Sequence, residues 1–254
     1  IWVKSNNNVI ESNIIESNRN GIKLSDANYN IIRTNKIYAN DNDGVSLGDS
    51  LSKGSHYNEI SRNDICSNGQ YGIGLWVSSN NRIIENNMNE NGHTYNGIGF
   101  YMADSTDNLI YLNEFAGHSR YNVYALDSTG NIWNSPEKVT YTYNGNTHTS
   151  YLGSYWSDYT GSDADGDGIG DTSYGITTYT YINFVTPNNR IQGDNDDYPL
   201  IEPFENYVIG EDTMPPSVSS VITSPLKITP EKDKYYVSDL LTAKFTIKNV
   251  GAEP

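Results

Sequence analysis

The 254-residue chain carries 16 Lys and Arg against 31 Asp and Glu, a formal charge of −15. That balance argues against nucleic acid or an anionic membrane as partner, because both demand cationic patches. A single cysteine, Cys66, excludes an intrachain disulfide framework, and no run approaches the roughly 20 apolar residues that span a bilayer, so no membrane insertion is expected within this segment.

The opening Ile1-Trp2-Val3 resembles Leu75-Trp76-Val77 at the close of a later repeat, so the chain reads as a segment of a longer protein whose terminal signals are uninformative. A frame then recurs five times: Asn, any residue, an apolar residue, two more residues, then Asn, any residue, apolar. It begins at Asn8, Asn30, Asn58, Asn81 and Asn108, with the second Asn at Asn13, Asn35, Asn63, Asn86 and Asn113. A third follows at Asn18, Asn40, Asn68 and Asn91, with His118 in that column on the last pass. Each frame closes on a Gly-apolar-x-apolar phrase such as Gly21-Ile22-Lys23-Leu24 or Gly72-Ile73-Gly74-Leu75.

Self-similarity at a period in the twenties signals a solenoid. Apolar positions five residues apart fit neither one helix face nor one continuous strand. Short strands separated by corners do fit, so residues 1–132 are predicted to form an all-β, right-handed, single-stranded parallel β-helix. Ile10, Ile32, Ile60, Ile83 and Ile110 form one predicted inward column, and Ile15, Ile37, Ile65, Met88 and Phe115 a second. Ile22, Val45, Ile73, Ile98 and Val123 form the third, beside Leu24, Leu47, Leu75 and Phe100. Asn suits the corners because it tolerates left-handed backbone and hydrogen-bonds nearby main chain, and stacked amides can form ladders. Disorder, the alternative for an Asn-rich tract, conflicts with such regular apolar columns. The frames are spaced by 22, 28, 23 and 27 residues, with the extra residues at Leu51–His56 and Gly92–Tyr95 expected to project as loops.

On the outer surface, Asp64 and Glu114 share a column two coils apart, roughly 10 Å by strand spacing, and are the candidates for an acid pair of the kind a glycosidase needs. Against this, stacking sets Glu11 beside Arg33, Lys36 beside Asp64 and Arg62 beside Glu85, the opposite-charge pairs of any solvated sheet. Asp26, Asp49 and Asp127 lie at turns and are expected to bond backbone. Trp76 and Tyr101 each follow the last apolar residue of successive coils, with Tyr124 close by, so they are expected to stack as an exposed aromatic strip able to bind sugar. The alternative is that a projecting loop folds over them as a small satellite core. His56, His93, His118 and His148 show no paired spacing, and Met88, Met102 and Met214 form no cluster, although His56 and His93 could meet through the two loops.

Residues 133–210 are aromatic, Gly-rich and acidic and are read as the cap that hides the last coil. Within them Asp163, Asp165, Asp167 and Asp171, with Gly166 for a sharp turn and the backbone carbonyl of Ile169, make an oxygen cage suited to Ca²⁺. Tyr174 stands where an EF-hand places its bidentate Glu, so the nearer comparison is the shorter aspartate-rich loop of dockerin and thrombospondin repeats. Further ligands are expected from Asp158, or from Asp194, Asp196 and Asp197. A solvated acidic turn is the alternative, opposed by the repulsion of four like charges in nine residues. After Pro215-Pro216, residues 215–254 alternate apolar and polar residues and read as the first strands of a truncated immunoglobulin-like module.

The phrase Gly153-Ser154-Tyr155-Trp156-Ser157-Asp158-Tyr159, the Asp163–Asp171 loop and Asp194-Asn195-Asp196-Asp197-Tyr198-Pro199-Leu200 together resemble the end of the NosD-like parallel β-helix domains of methanogen surface proteins, also described as carbohydrate-binding and sugar-hydrolase (PbH1) repeats. The resemblance covers roughly residues 1–202. It implies an extracellular or cell-surface protein for envelope structure, adhesion or carbohydrate binding, stabilised by calcium, with a polysaccharide or cell-surface glycan as partner. A polysaccharide-degrading lyase or glycoside hydrolase, disaggregatase-like, is the alternative on the same fold. The copper-accessory role behind the family name is a second alternative.

Overall fold

The computed structural model describes residues 1–49, 53–94, 97–182, 186–191 and 193–210. The tail expected to be immunoglobulin-like, 215–254, lies outside them, as do Leu51, Ser52 and Tyr95 of the two insertions. Each of the five frames lays down three short strands, and equivalent strands of successive frames pair in parallel to form three sheets. One sheet stacks Val9–Glu11, Ile31–Arg33, Glu59–Ser61, Arg82–Ile84 and Leu109–Tyr111. The second stacks Ile14–Glu16, Lys36–Tyr38, Asp64–Cys66, Asn87–Asn89 and Glu114–Ala116, and Tyr155–Trp156 closes it. The third and longest runs from Trp2–Val3 through Ile22–Leu24, Val45–Leu47, Ile73–Trp76, Ile98–Ala103 and Tyr121–Leu126 to Thr178–Ile182. The parallel β-solenoid is therefore observed. Ile32 pairs directly with Ile60, and both are wholly buried.

The first two predicted columns hold in register from frame to frame. The third slips. Ile73 pairs with Phe100 and Leu75 with Met102, so Phe100, not Ile98, continues the column toward Val123. The chain between Asn91 and Phe100 holds four more residues than that between Asn68 and Ile73, and it turns back on itself through Gly97 N–H donating to Gly92 O at 3.0 Å. The first insertion also rejoins the wall sooner than expected, because Gly54 and Ser55 are buried.

Asn supports the corners differently from the sequence expectation. The left-handed residue is the one before each ladder Asn, and its type is unrestricted: Tyr29 (φ 58°), Arg62 (φ 55°), Leu112 (φ 55°). The Asn amide bridges that residue. Asn63 Nδ2 donates to Ser61 O two residues back at 3.1 Å, to Ile32 O of the coil below at 2.9 Å and to Asn86 Oδ1 of the coil above at 2.9 Å. Its Oδ1 accepts from the backbone and side-chain nitrogens of Asn35 at 2.9 and 3.0 Å. Buried main-chain groups at a corner find no partner in a strand ladder, and these amides supply one. A fourth ladder, of serine hydroxyls, runs along the remaining corner: Ser55 N–H donates to Ser78 Oγ, Ser78 N–H to Ser105 Oγ and Ser105 N–H to Ser128 Oγ, at 2.9 to 3.0 Å.

Each ladder ends on a different acceptor. His118 Nδ1 accepts Asn91 N–H at 3.2 Å, Ser154 Oγ accepts Asn113 N–H at 3.2 Å, and Asp194 accepts Asn131 N–H at 2.9 Å. The apolar tube ends in stacked rings, with Trp156 on Phe115 at 4.4 Å and Tyr174 on Trp156 at 4.2 Å, while Trp133 packs on Phe100. A hairpin of Val139–Tyr143 and Asn146–Ser150 turns at Asn144-Gly145 (φ 48° and 80°) and builds a second core with Ile84, Tyr111, Leu152 and Tyr207 on the outer side of the first sheet. Asn-Gly with both φ values positive is the favoured two-residue hairpin turn.

Candidate functional site

The outer face of the long sheet carries the column Trp2, Lys23, Ser46, Gly74, Tyr101, Tyr124, read from strand registers that alternate with the buried residues. Large residues flank two small ones. Trp76 pairs with Ala103 rather than Tyr101, which corrects the expectation that the two rings occupy equivalent positions. They still touch, at 5.7 Å between centroids, because the Trp76 indole lies back over Gly74, where a Cβ would meet its ring carbons at 2.4 Å. The aromatic strip is thus real but longer than expected. Tyr71 stacks on Tyr101 at 4.7 Å, Tyr101 on Tyr124 at 6.0 Å and Tyr124 on Tyr179 at 4.7 Å, with interplanar angles of 7° to 15°. Tyr71 is buried, while Trp76, Tyr101, Tyr124 and Tyr179 are half-buried. Sequence reasoning missed Tyr71 and Tyr179, and it missed a second stacked pair, the exposed Tyr29 and Tyr57 at 5.2 Å on a corner.

Below the strip, the small Ser46 leaves a groove of about 760 Å³ with Trp2 and Trp76 among its walls, a volume within the range of ligand pockets. Lys4 sits over the Trp2 ring at 3.8 Å. Arg19, Lys23, Asp43 and Asp49 bring charge to the groove. Asp43 is only 4% exposed and its Oδ1 has no hydrogen-bond partner. Burial pushes its carboxyl up to about 7, against the opposing pull of Ser46, Lys23 and the Tyr71 backbone.

Asp64 and Glu114 do share an outward column of the second sheet, with Asn87 between them. Both are half-buried. Burial raises the Glu114 carboxyl, helped by the negative charges of Glu205 and Asp64. Of the expected charge pairs, Glu11 meets Arg33 at 2.6 Å and Glu85 meets Arg62 at 2.5 Å. Asp26 pairs with Lys53 at 3.2 Å and Asp127 accepts from Thr180 Oγ1 at 2.5 Å, two side-chain contacts the sequence did not indicate.

In the acidic loop, carboxylate oxygens of Asp163, Asp165 and Asp167 lie within 4.8 Å of one another. Asp163 folds the turn by accepting Gly166 and Gly168 N–H at 2.8 and 2.9 Å. Tyr141 OH donates to Asp167 O at 2.8 Å and Tyr207 OH to Gly168 O, which pins the loop to the hairpin. Asp167 is raised by burial, and also by the charges of Asp165 and Asp163. Asp171 stands apart from the three, its Oδ2 accepting Ser162 Oγ and Ala164 N–H at 2.9 Å. Ile169 bridges Leu200 and donates its N–H to Asp167 Oδ1 at 2.8 Å.

The further ligands expected for this loop are engaged elsewhere. Asp158 accepts Asn122 Nδ2 at 2.6 Å, Asp194 ends an Asn ladder, and Asp197 accepts Ser173 Oγ at 2.7 Å. Asp196 is wholly buried, accepting Ser154 N–H at 2.8 Å, Trp156 Nε1–H at 2.9 Å and Tyr198 N–H at 3.0 Å, while burial pushes its carboxyl up to about 7. These aspartates organise the cap.

Residues 1–161 match the family described as periplasmic copper-binding protein (NosD). The chain belongs to the NosD family. No curated protein matches it in sequence. Among solved structures it is similar to the Dettilon tailspike protein, at 22% identity and a TM-score of 0.43 over 50% of this chain and 28% of that one. It is also similar to the periplasmic alginate epimerase AlgG, at 17% identity and a TM-score of 0.39 over 70% of this chain and 35% of that one. The chain thus spans about a third or less of the length of either. No helix among the described residues is long and apolar enough to cross a membrane.

The donor set does not fit the copper of the family description. Copper favours imidazole, thiolate and thioether ligands, but His56 Nδ1 accepts Ser79 N–H at 3.1 Å and His118 closes a ladder. Met88 and Met102 fill the apolar tube, and Met214 lies outside the described residues. Among the described residues, the group of three candidate ligands is the all-carboxylate one, Asp163, Asp165 and Asp167. Such hard oxygens suit calcium.

Proposed function

We propose that this NosD-family chain binds polysaccharide outside the cytoplasm through the outer face of its long sheet, and that calcium at Asp163, Asp165 and Asp167 steadies its cap. The observation that carries the reading is the row of half-buried rings, Tyr101, Tyr124 and Tyr179, stacked one on the next beside Trp76. Stacked face to face, the rings turn their edges and hydroxyl tips outward, a row of mixed apolar and polar contacts for a pyranose chain. Neighbouring coils repeat at roughly 4.8 Å, so a chain of sugars meets several of these rings at once. An envelope location, with a structural or adhesive role, is the setting in which such a surface is useful.

The reading is tested by binding of a polysaccharide panel to the wild-type chain and to Tyr101→Ala/Tyr124→Ala. Loss of two ring contacts at about 1 kcal/mol each predicts a 10- to 30-fold weaker Kd. Equal binding by the two proteins refutes the assignment to this face. A second reading, polysaccharide cleavage, is favoured by one observation: Asp64 and Glu114 lie two strand steps apart, and Glu114 is held toward its protonated form by burial. Reducing-sugar release by the wild type, abolished in Glu114→Gln, would establish it. Absence of release from every bound glycan rejects it.

A further inference from the structure

We infer that the groove between Trp2 and Trp76 is a sugar subsite for neutral, hydroxyl-rich glycan, with Asp43 as the group that recognises a sugar hydroxyl. This rests on the proposal that the long sheet binds polysaccharide and extends it to a particular subsite and glycan class. Three features carry it. The column steps from Trp2 and Lys23 down to Ser46, and the Trp76 indole laid over Gly74 raises the far wall, which makes a trough across the strands. The Trp76 indole lies across the Gly74 backbone and lines that trough, joining it to the tyrosine strip.

The third feature is Asp43 itself. It lines the groove at 4% exposure with Oδ1 unpartnered. A buried polar atom without a partner lowers stability, and a ligand hydroxyl at Asp43 would supply what the fold does not. The carboxyl lies near Lys23 and Ser46 and is driven toward its neutral form by burial, so it can both donate to and accept from a hydroxyl.

The charge pattern selects the class. In the groove two cations, Arg19 and Lys23, face two acids, Asp49 and Asp43, and the whole chain carries −15. Such a field repels polyuronates and leaves neutral hexose chains undisturbed.

The test measures binding of neutral oligosaccharides and of an oligouronate to the wild type, Asp43→Leu, Asp43→Asn and Trp76→Ala, with the melting temperature of each. The expected result is neutral-sugar binding weakened at least tenfold by Asp43→Leu and by Trp76→Ala, and only a few-fold by Asp43→Asn, which keeps both a donor and an acceptor. Asp43→Leu should melt close to wild type, because the loss of an unpartnered buried oxygen offsets the loss of the contacts with Ser46 and the Tyr71 backbone. A purely structural aspartate would give the reverse, a lower melting temperature with binding retained per folded molecule. Neutral-sugar binding unaffected by Asp43→Leu and Trp76→Ala overturns the subsite while leaving the tyrosine face intact, as does tighter binding of the oligouronate. Failure of the wild type to bind any glycan overturns both.

Discussion

Removal of one ladder amide, Asn63→Ala, tests how this fold is held together. In the native chain this side chain makes three donor bonds, at 2.9 to 3.1 Å, and accepts two from Asn35, at 2.9 and 3.0 Å. Alanine removes all five and leaves Asn35 N–H buried without an acceptor. The orphaned donor costs about 1–3 kcal/mol, and the remaining bonds contribute about 0.5–1.5 kcal/mol each. Allowing for relaxation and the other bonds of Asn35, the expected loss is about 3–6 kcal/mol. That is a large share of the 5–15 kcal/mol that folds a typical domain. Asn13→Ala is the comparison, since Asn13 is exposed in the same column and donates to Glu11 O at 2.8 Å and Asn35 Oδ1 at 3.0 Å; about 1 kcal/mol is expected there. Urea unfolding followed by tryptophan fluorescence and far-ultraviolet circular dichroism measures both. A loss below about 1 kcal/mol for Asn63→Ala, or equal losses for the two variants, would refute a structural role for the buried amides.

Acid sensitivity should arise partly at His118, whose imidazole is held at about 4 by burial instead of the usual 6.5. A base depressed on folding contributes stability that is present above pH 6.5 and is lost as the pH falls toward 4. His118→Asn should therefore remove about 2–3 kcal/mol of acid destabilisation at roughly 1.4 kcal/mol per pH unit, read as a shallower fall in urea midpoint between those pH values. An unchanged slope contradicts it. The raised carboxyls of Asp43 and Asp196 act with the opposite sign, because their contribution is present at low pH and lost as the pH rises through about 7. Calcium at one hundred times its Kd should stabilise the chain by about 2.7 kcal/mol, seen as a rise in melting temperature over a chelator control that magnesium does not reproduce. Asp163→Asn should abolish the rise, and no response to calcium at millimolar concentration would remove the ion from the account.

Most of the solenoid was legible because two of its inward columns are anchored at fixed distances from ladder Asn residues. The third was misread at Gly97-Ile98-Gly99-Phe100, where two Gly-apolar pairs compete. A spacing of eight residues from the inward residue to the next first Asn, as from Ile22 to Asn30, Ile73 to Asn81 and Val123 to Asn131, and lengthened after Val45 where the first insertion intervenes, selects Phe100 before Asn108. The serine ladder carried a similar signal, Ser three residues ahead of Asn58, Asn81, Asn108 and Asn131. The left-handed corners carried none, since the neighbouring amide imposes that conformation on Tyr, Arg or Leu alike. The acidic loop was legible because its ligands are local. The work of Asp194 and Asp196 was not, because their partners Asn131 and Ser154 lie 63 and 42 residues away. Asp43 escaped notice because burial and a missing partner are properties of the folded groove.

Oxidative footprinting of the tryptophan and tyrosine side chains, with and without bound oligosaccharide, tests the glycan-binding face most directly. The account predicts protection of Trp76, Tyr101 and Tyr124 while the exposed pair Tyr29 and Tyr57, stacked in the same manner on a corner, reacts unchanged. Protection of Tyr29 and Tyr57 with Trp76, Tyr101 and Tyr124 unaltered would contradict it.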